Sequence, residues 1–488
     1  MQPTLTSPRA TFPDVVAFSH TVLARPLYLY QARIARAIVR ASASATGHTF
    51  TVMMARQMGK NELSAQLEAY LLNVHRQTGG TIVKAAPTLK PQALLSRHRL
   101  LQALDNPWNH GHIRAVADAV ELGRARARFL SGAAQSNVVG ATADLLLELD
   151  EAQDLHDDKI QCDFRPMAST TNAPIVMYGT AWDAASPLER QKQLNLDLER
   201  HDHKQRHFEY DWHALARISP AYRAFVQAEI ARLGADHPLI RTQYALKPLD
   251  DAGRLLSPTA RTLLFSGKHD SLDGAQADDT YVAGVDIAGQ DAAALPGLLA
   301  PSPAAATRDS TVVTVARLLR TADSEPELEI VHHAAWSGAD FPTQHQALRH
   351  LLGEVFPCTR VVVDATGLGA GVASWLEKAL GASVVDPFVF TAPSKSCLGF
   401  TLLAMAGTGR CRLYRNDGNS HWSRARDELV AARYELAANE QMRFFVPANA
   451  GHDDYLMSLA LCCHAATNAA SPPTSAIIRP KPVPFETW

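Results

Sequence analysis

The chain has 488 residues, 47% of them hydrophobic, which is enough for roughly two to four ordinary domains. A net charge of −2 and a pI near 6.9 exclude a general polyanion coat, so any polyanion must be met by a local basic lining. Six cysteines without C-x-x-C spacing argue against a disulfide scaffold or a zinc ribbon. The lack of a long apolar run or a charged leader predicts a soluble, non-secreted chain.

In chain order, residues from about 20 to 245 alternate strand-like and helix-like patterns, which predicts an α/β domain. Its candidate strands "FTVMMA", "TIVKAAP", "ADLLLELD" and "APIVMYGTA" are continuous apolar runs, as expected of strands covered on both faces. The first runs into "ARQMGKNELSAQLEAYLLNVH", a strand–loop–helix unit. A phosphate-binding loop aims backbone N–H groups and a helix N-terminus at an anion and adds a lysine. Gly59 and Lys60 keep the two positions that geometry most needs. Met54 stands where the usual first glycine belongs, and Asn61 replaces the usual hydroxyl, leaving an amide oxygen to face Mg²⁺.

The acidic partner of this loop is "LLLELDEAQD", an apolar strand ending in Asp150 and Glu151, on what read as successive candidate strands. Asp150 is expected to hold the hydration shell of Mg²⁺ and Glu151 to orient and deprotonate an attacking water. Loop and acids together point to ATP hydrolysis. Arg124, Arg126 and Arg128 alternate along "GRARARF" and read as a solvated strand face.

Residues 246–278, rich in turn formers, are expected as a linker. Residues 279–470 predict a second α/β domain: strands "YVAGVDIAG", "STVVTVARLL" and "LEIVHHAAWSG", the helix "FPTQHQALRHLLGEVF", the strand "RVVVDATG", a helix, and the strand "SVVDPFVF". An Ala/Pro-rich surface loop separates the first two strands, and the proline-rich tail 471–488 is expected to be extended or disordered. Asp286 interrupts a run that should stay apolar, Asp364 ends "RVVVDATG", and Asp453 and Asp454 open the apolar helix "GHDDYLMSLAL". Carboxylates recurring at apolar boundaries invite cations between them, and such acids can bridge two Mg²⁺ or Mn²⁺ ions for phosphodiester cleavage. Blander readings exist: Asp453 or Asp454 as a helix N-cap, and Asp364 as a cap of the next helix.

The motifs "ARQMGKNE", "AAPTLKPQA", "VVGATADLLLELDEAQ" and "YGTAWD" resemble, in the same order, those of the ATPase domain of large terminase subunits. These are the DNA-packaging motors of tailed bacteriophages. "GVD", "VVVDATG" and "GHDDYLMSLAL" are similar to the boundaries of that family's RNase H-like nuclease domain. The resemblance covers roughly residues 20–470. It implies an N-terminal P-loop ATPase domain (1–245, with an N-terminal arm) on a mostly parallel sheet and a C-terminal RNase H-like nuclease domain (279–470).

By the same resemblance, Lys60 contacts phosphate, Arg56 lies over the outer phosphates, Thr180 couples hydrolysis to movement, and Gln31 in "LYLYQ" is the adenine-side glutamine. Asp286, Asp364 and Asp453 are metal ligands with Asp454 beside them, Asp309 supports them, and Lys395 lies near the DNA path. Two departures are visible. Asn61 replaces Ser/Thr, and Val139 stands before Gly140 where many relatives carry an arginine, leaving the arginine finger unassigned.

The resemblance further implies ATP with Mg²⁺ at one site and two Mg²⁺ or Mn²⁺ at the other. The partners it implies are double-stranded DNA, the portal protein of the procapsid and a small terminase subunit. The active form would be a homo-oligomeric ring, a pentamer, in the host cell cytoplasm and transiently at the procapsid portal vertex, with no membrane. Two other readings stay open. One is a superfamily 2 helicase joined to a nuclease, which "DEAQ" suits although no second helicase core follows. The other is a degenerate prophage remnant that binds DNA or capsid without catalysis, which Asn61 and Val139 favour.

Overall fold

A computed structural model describes residues 14–136, 138, 140–182, 184–249, 253–288, 310–320, 325–337, 341–436 and 441–468. The chain forms two compact units that divide between Ala252 and Gly253. The first unit is built on an eight-stranded sheet. Its strands are β1 (Thr49–Met54), β2 (Gly80–Ala86), β3 (Ile113–Val116), β4 (Ala119–Leu122), β5 (Ala125–Ser131), β6 (Leu146–Leu149), β7 (Ile175–Gly179) and β8 (His207–Tyr210). The spatial order is β3-β4-β5-β2-β6-β7-β1-β8. Every neighbour from β5 to β8 is parallel, and β3, β4 and β5 pair antiparallel at one edge.

Parallel strands need crossover segments on both faces, and successive side chains enter opposite layers. On β1, Val52 and Met54 join a core with Ile34, Ile38 and Leu67 from the helices Leu29–Ala43 and Lys60–Val74. Met53, between them, joins a second core with Ile160, Phe164 and Leu188. This two-sided burial explains the unbroken apolar runs. The structure corrects the expectation of successive strands: β2 to β5 intervene between β1 and β6 in chain order, and β7, which pairs with both, lies between them in the sheet. The strand that precedes Thr180 therefore separates the acidic strand from the phosphate-loop strand.

The second unit carries a six-stranded sheet. Its strands are β9 (Tyr281–Asp286), β10 (Thr311–Leu319), β11 (Glu327–Trp336), β12 (Cys358–Asp364), β13 (Val385–Phe388) and β14 (Cys411–Leu413). They lie in the order β13-β12-β9-β10-β11-β14. β9, β10 and β11 form an antiparallel meander, while β12 runs parallel to β9 and β14 parallel to β11. Three antiparallel strands, a helix and a parallel acid-bearing strand are the plan expected of an RNase H-like domain. A small antiparallel pair, β15 (Arg433–Leu436) and β16 (Met442–Phe445), is additional and was not anticipated.

Residues 246–278, expected as a linker, are in large part packed. Leu246 and Leu249 are buried in the first unit, while Leu255, Leu256, Ala260 and Leu264 belong to the core of the second. The helix Pro258–Leu264 forms because Ser257 caps it and Pro258 occupies its first position, local signals that a count of turn formers overlooks. Among the described residues no helix is long and apolar enough to cross a membrane. Asp309, Val139 and the tail 471–488 lie outside the described residues.

Candidate active sites

In the first unit, β1 ends at Met54 and the chain turns through Ala55–Gly59 into the helix Lys60–Val74. Gly59 has φ of +85°, a left-handed conformation that glycine adopts without a Cβ penalty. A Cβ there would also stand 2.6 Å from the Gln31 amide nitrogen. Several neighbours fix the loop. The Arg56 N–H donates to the Gln243 carbonyl at 2.8 Å, the Tyr222 hydroxyl donates to the Arg56 carbonyl at 2.8 Å, and the Tyr30 hydroxyl donates to the Met58 carbonyl at 3.0 Å. What this leaves is a helix N-terminus with Lys60 at its first position, the arrangement that receives an anion.

Lys60 Nζ lies 3.4 Å from both carboxylate oxygens of Glu151, so the loop and the acidic motif meet. Glu151 is held in a left-handed conformation (φ +45°) one residue past Asp150, and its carboxylate also accepts from the Gln153 amide at 2.9 Å. The two adjacent acids are pushed in opposite directions. Burial raises the Asp150 carboxyl, with Glu151 and Glu148 adding to the rise against Lys84 and Lys60. Burial also acts against ionised Glu151, but Lys60, the Gln153 amide and Arg56 outweigh it and hold that carboxyl below its ordinary range. Opposite shifts in adjacent carboxyls suit different tasks.

Arg56 is exposed and near enough for its charge to act on Glu151. Asn61 is partly exposed in the first turn of the helix. Thr180 is buried, and its hydroxyl has no hydrogen-bond partner among the described residues. Gln31 is buried with its amide engaged at both ends. Its nitrogen donates to the Met58 and Gly59 carbonyls at 3.4 and 3.2 Å, and its oxygen accepts from the Tyr28 N–H at 2.9 Å. It braces the loop. The alternating arginines at the start of β5 and just before it are tied to local partners: Arg124 to the Gln77 carbonyl, Arg126 to Thr81 and Arg128 to Asp118.

In the second unit, Asp286 and Asp364 are the last residues of parallel neighbours β9 and β12. Register pairs Val285 with Val363, so the two acids share one end of the sheet. The helix Asp454–Asn468 reaches that end because Gly284 admits it: a Cβ on Gly284 would stand 2.1 Å from the Ser458 carbonyl oxygen. Burial raises the Asp286 carboxyl well above its ordinary range, and the charges of Asp454, Asp364 and Asp453 raise it further. Burial raises Asp364 as well, against the Thr366 hydroxyl and N–H. Lys395 opposes both shifts, and its ammonium lies 5.5 Å from the Phe444 ring centre and 5.7 Å from that of Phe390. Asp454 accepts from the Ser310 N–H at 2.9 Å, tying the helix start to β10.

The structure thus brings Asp364, Asp453, Asp454 and Lys395 within electrostatic reach of Asp286. Among the described residues, however, no three His, Cys, Asp or Glu side chains are arranged to hold a metal ion. The donor set fits a divalent cation by charge and by oxygen chemistry.

One residue was missed by sequence reasoning. Glu428, on the helix Ser420–Ala431, accepts the N–H groups of Tyr455 and Leu456 at 2.8 and 3.0 Å, anchoring the helix that follows Asp453. Its carboxyl is pushed up to about 8 by burial and by Asp454 and Asp453, against those two N–H groups. Nothing in "SRARDELVA" signals this, because the partner lies 27 residues away.

No protein-family model matches the chain, and no curated protein matches it in sequence. Solved structures similar to it include the HK97 bacteriophage large terminase, 15% identical over 93% of this chain and 99% of that one, with a TM-score of 0.40. A second large terminase, from a thermophilic bacteriophage, is 11% identical over 90% of this chain and 98% of that one, with a TM-score of 0.48. The magnesium-bound large terminase nuclease of the thermophilic phage G20c is 21% identical over 44% of this chain and 97% of that one, with a TM-score of 0.33.

Proposed function

We propose that the chain is the large subunit of a viral DNA-packaging terminase, hydrolysing ATP in its first unit and cutting double-stranded DNA in its second. The observation that carries this reading is the meeting of Lys60 with Glu151 at 3.4 Å in one unit, while in the other Asp286 and Asp364 share one sheet end with Asp453 in electrostatic reach of Asp286. The ordered motifs of both domains support it.

In the first unit the loop N–H groups, Lys60 and Arg56 bind and orient the phosphates, and Asp150 would hold the hydration shell of Mg²⁺. Glu151, ionised and held by Gln153, receives the proton of the attacking water. Phosphate and Glu151 compete for Lys60, so nucleotide entry releases Glu151 for that role. Thr180, just past the end of the strand between the two motifs, senses the change.

In the second unit Asp286, Asp364 and Asp453 would hold two divalent cations, with Asp454 adjacent. Such ions supply an activated water and stabilise the leaving oxygen of a phosphodiester. Lys395 meets the DNA backbone, and binding dominated by phosphate weakens steeply with salt. The working form is a ring of copies, a pentamer, at the procapsid portal vertex in the host cytoplasm, with a small terminase subunit selecting the start site.

The test mixes purified protein with ATP, Mg²⁺ and plasmid. Slow ATP hydrolysis together with poorly sequence-specific cutting is expected. Strand separation would instead indicate a helicase, and neither activity would indicate a non-catalytic remnant.

A further inference from the structure

Directly behind the phosphate site lies a fully buried polar cluster that the hydrolysis chemistry does not use. Lys84 of β2 and Glu148 of β6 are register partners on adjacent strands, and Tyr178 lies on β7. Ser64 and Glu68 come from the helix that Lys60 opens. All five side chains are at most 2% exposed. Lys84 Nζ donates to Ser64 Oγ at 2.6 Å and lies 3.3 Å from Glu68. Ser64 Oγ donates to Glu148 at 2.9 Å and lies 3.3 Å from Glu68. The Tyr178 hydroxyl donates to the same Glu148 oxygen at 2.9 Å.

The spacing gives the cluster its meaning. Ser64 and Glu68 follow Lys60 by one and two helical turns and share its face. Glu148 precedes Asp150 by two residues, and Tyr178 precedes Thr180 by two, the same-face interval of a strand. Four of the five members therefore stand one or two steps behind a residue assigned to the phosphate site, and Lys84 joins them from β2. Burying two carboxylates and an ammonium contributes little net stability compared with an apolar core, whereas removing one partner leaves an uncompensated charge. Burial raises the Glu68 carboxyl well above its usual range, and the surrounding acids keep Lys84 charged against its own burial.

We propose that Lys84, Ser64, Glu68, Glu148 and Tyr178 form a positioning network that keeps the phosphate helix, the acidic strand and the Thr180 strand in one register during ATP hydrolysis. This rests on the reading of the first unit as an ATP hydrolase. The network touches no substrate; it sets the distance of Asp150 and Glu151 from phosphate held by Lys60.

The experiment measures ATP affinity by calorimetry and steady-state hydrolysis on the full chain carrying Tyr178→Phe, Ser64→Ala or Ser64→Thr. Each hydrogen-bond deletion is expected to lower kcat roughly tenfold while ATP affinity changes by less than about threefold. Ser64→Thr, which retains the hydroxyl, is expected to restore most of kcat. Lys84→Met is the harsher variant. Should it fail to fold, the two mild deletions still decide, because ATP binding reports their folded state. A lower melting temperature with kcat unchanged in variants that bind ATP would overturn the network's positioning role. Absence of hydrolysis in the unaltered protein would instead overturn the hydrolase reading itself.

Discussion

The two candidate centres are assembled to different degrees, and the difference follows from charge. The candidate phosphate centre is already drawn together: a left-handed Gly59, a helix N-terminus, and a lysine 3.4 Å from Glu151. Opposite charges draw such a site together without a ligand. The acid centre gathers carboxylates of one sign, with Asp454, Asp364 and Asp453 raising Asp286, and no three of the described ones are placed to hold an ion. Like charges disfavour one another's ionised forms, and a bound cation relieves that penalty. An anion site can be preorganised by folding, whereas a multi-carboxylate cation site is completed by its ion.

The largest expected effects test whether the two centres work independently. Lys60→Ala is expected to lower ATP hydrolysis by about 10³-fold or more while metal-dependent cutting of plasmid persists. Asp364→Ala is expected to abolish cutting and leave hydrolysis in place. If either substitution removed both activities in a folded protein, the division into two centres would be wrong.

A second test sharpens the acid side. Glu428→Ala removes the acceptor for the Tyr455 and Leu456 N–H groups, so cutting should fall roughly tenfold to a hundredfold, as when the support of a ligand is lost. Hydrolysis of ATP should not change. Glu428→Gln, which keeps an acceptor oxygen, should recover part of the cutting rate.

A smaller effect addresses repulsion directly. In EDTA, Asp286→Asn removes one of the mutually repelling charges and should raise the melting temperature by a few degrees, about 1 kcal/mol. Added Mn²⁺ should raise the melting temperature of the unaltered protein and do little for the variant. An Asp286→Asn protein that melts lower in EDTA would contradict the repulsion.

The smallest effect concerns Gln31, whose amide is engaged by the loop and by Tyr28. Gln31→Ala should raise the KM for ATP and for GTP by a similar factor, about threefold to tenfold for one lost brace. A loss confined to ATP would assign the side chain to the base.

Much of this was legible in the sequence because burial and polarity conflict there. Asp150, Asp286 and Asp364 end apolar runs, and a carboxylate at such a boundary stands out by its cost. Gly59 and Lys60 were legible because the turn admits few alternatives. What stayed hidden depends on distant contacts. The placement of β7 between β6 and β1, the role of Glu428, and the burial of Lys84 within "TIVKAAP" are tertiary facts with no local signature. The stretch 246–278 misled because turn formers also cap short packed helices, as Ser257 and Pro258 do.

The most direct test of the central claim is an anomalous difference map from crystals of the full chain soaked in Mn²⁺. The account predicts peaks bridging the carboxylates of Asp286, Asp364 and Asp453, with those side chains drawn together around them. Ordered Mn²⁺ elsewhere, with these three acids left unligated, would contradict it.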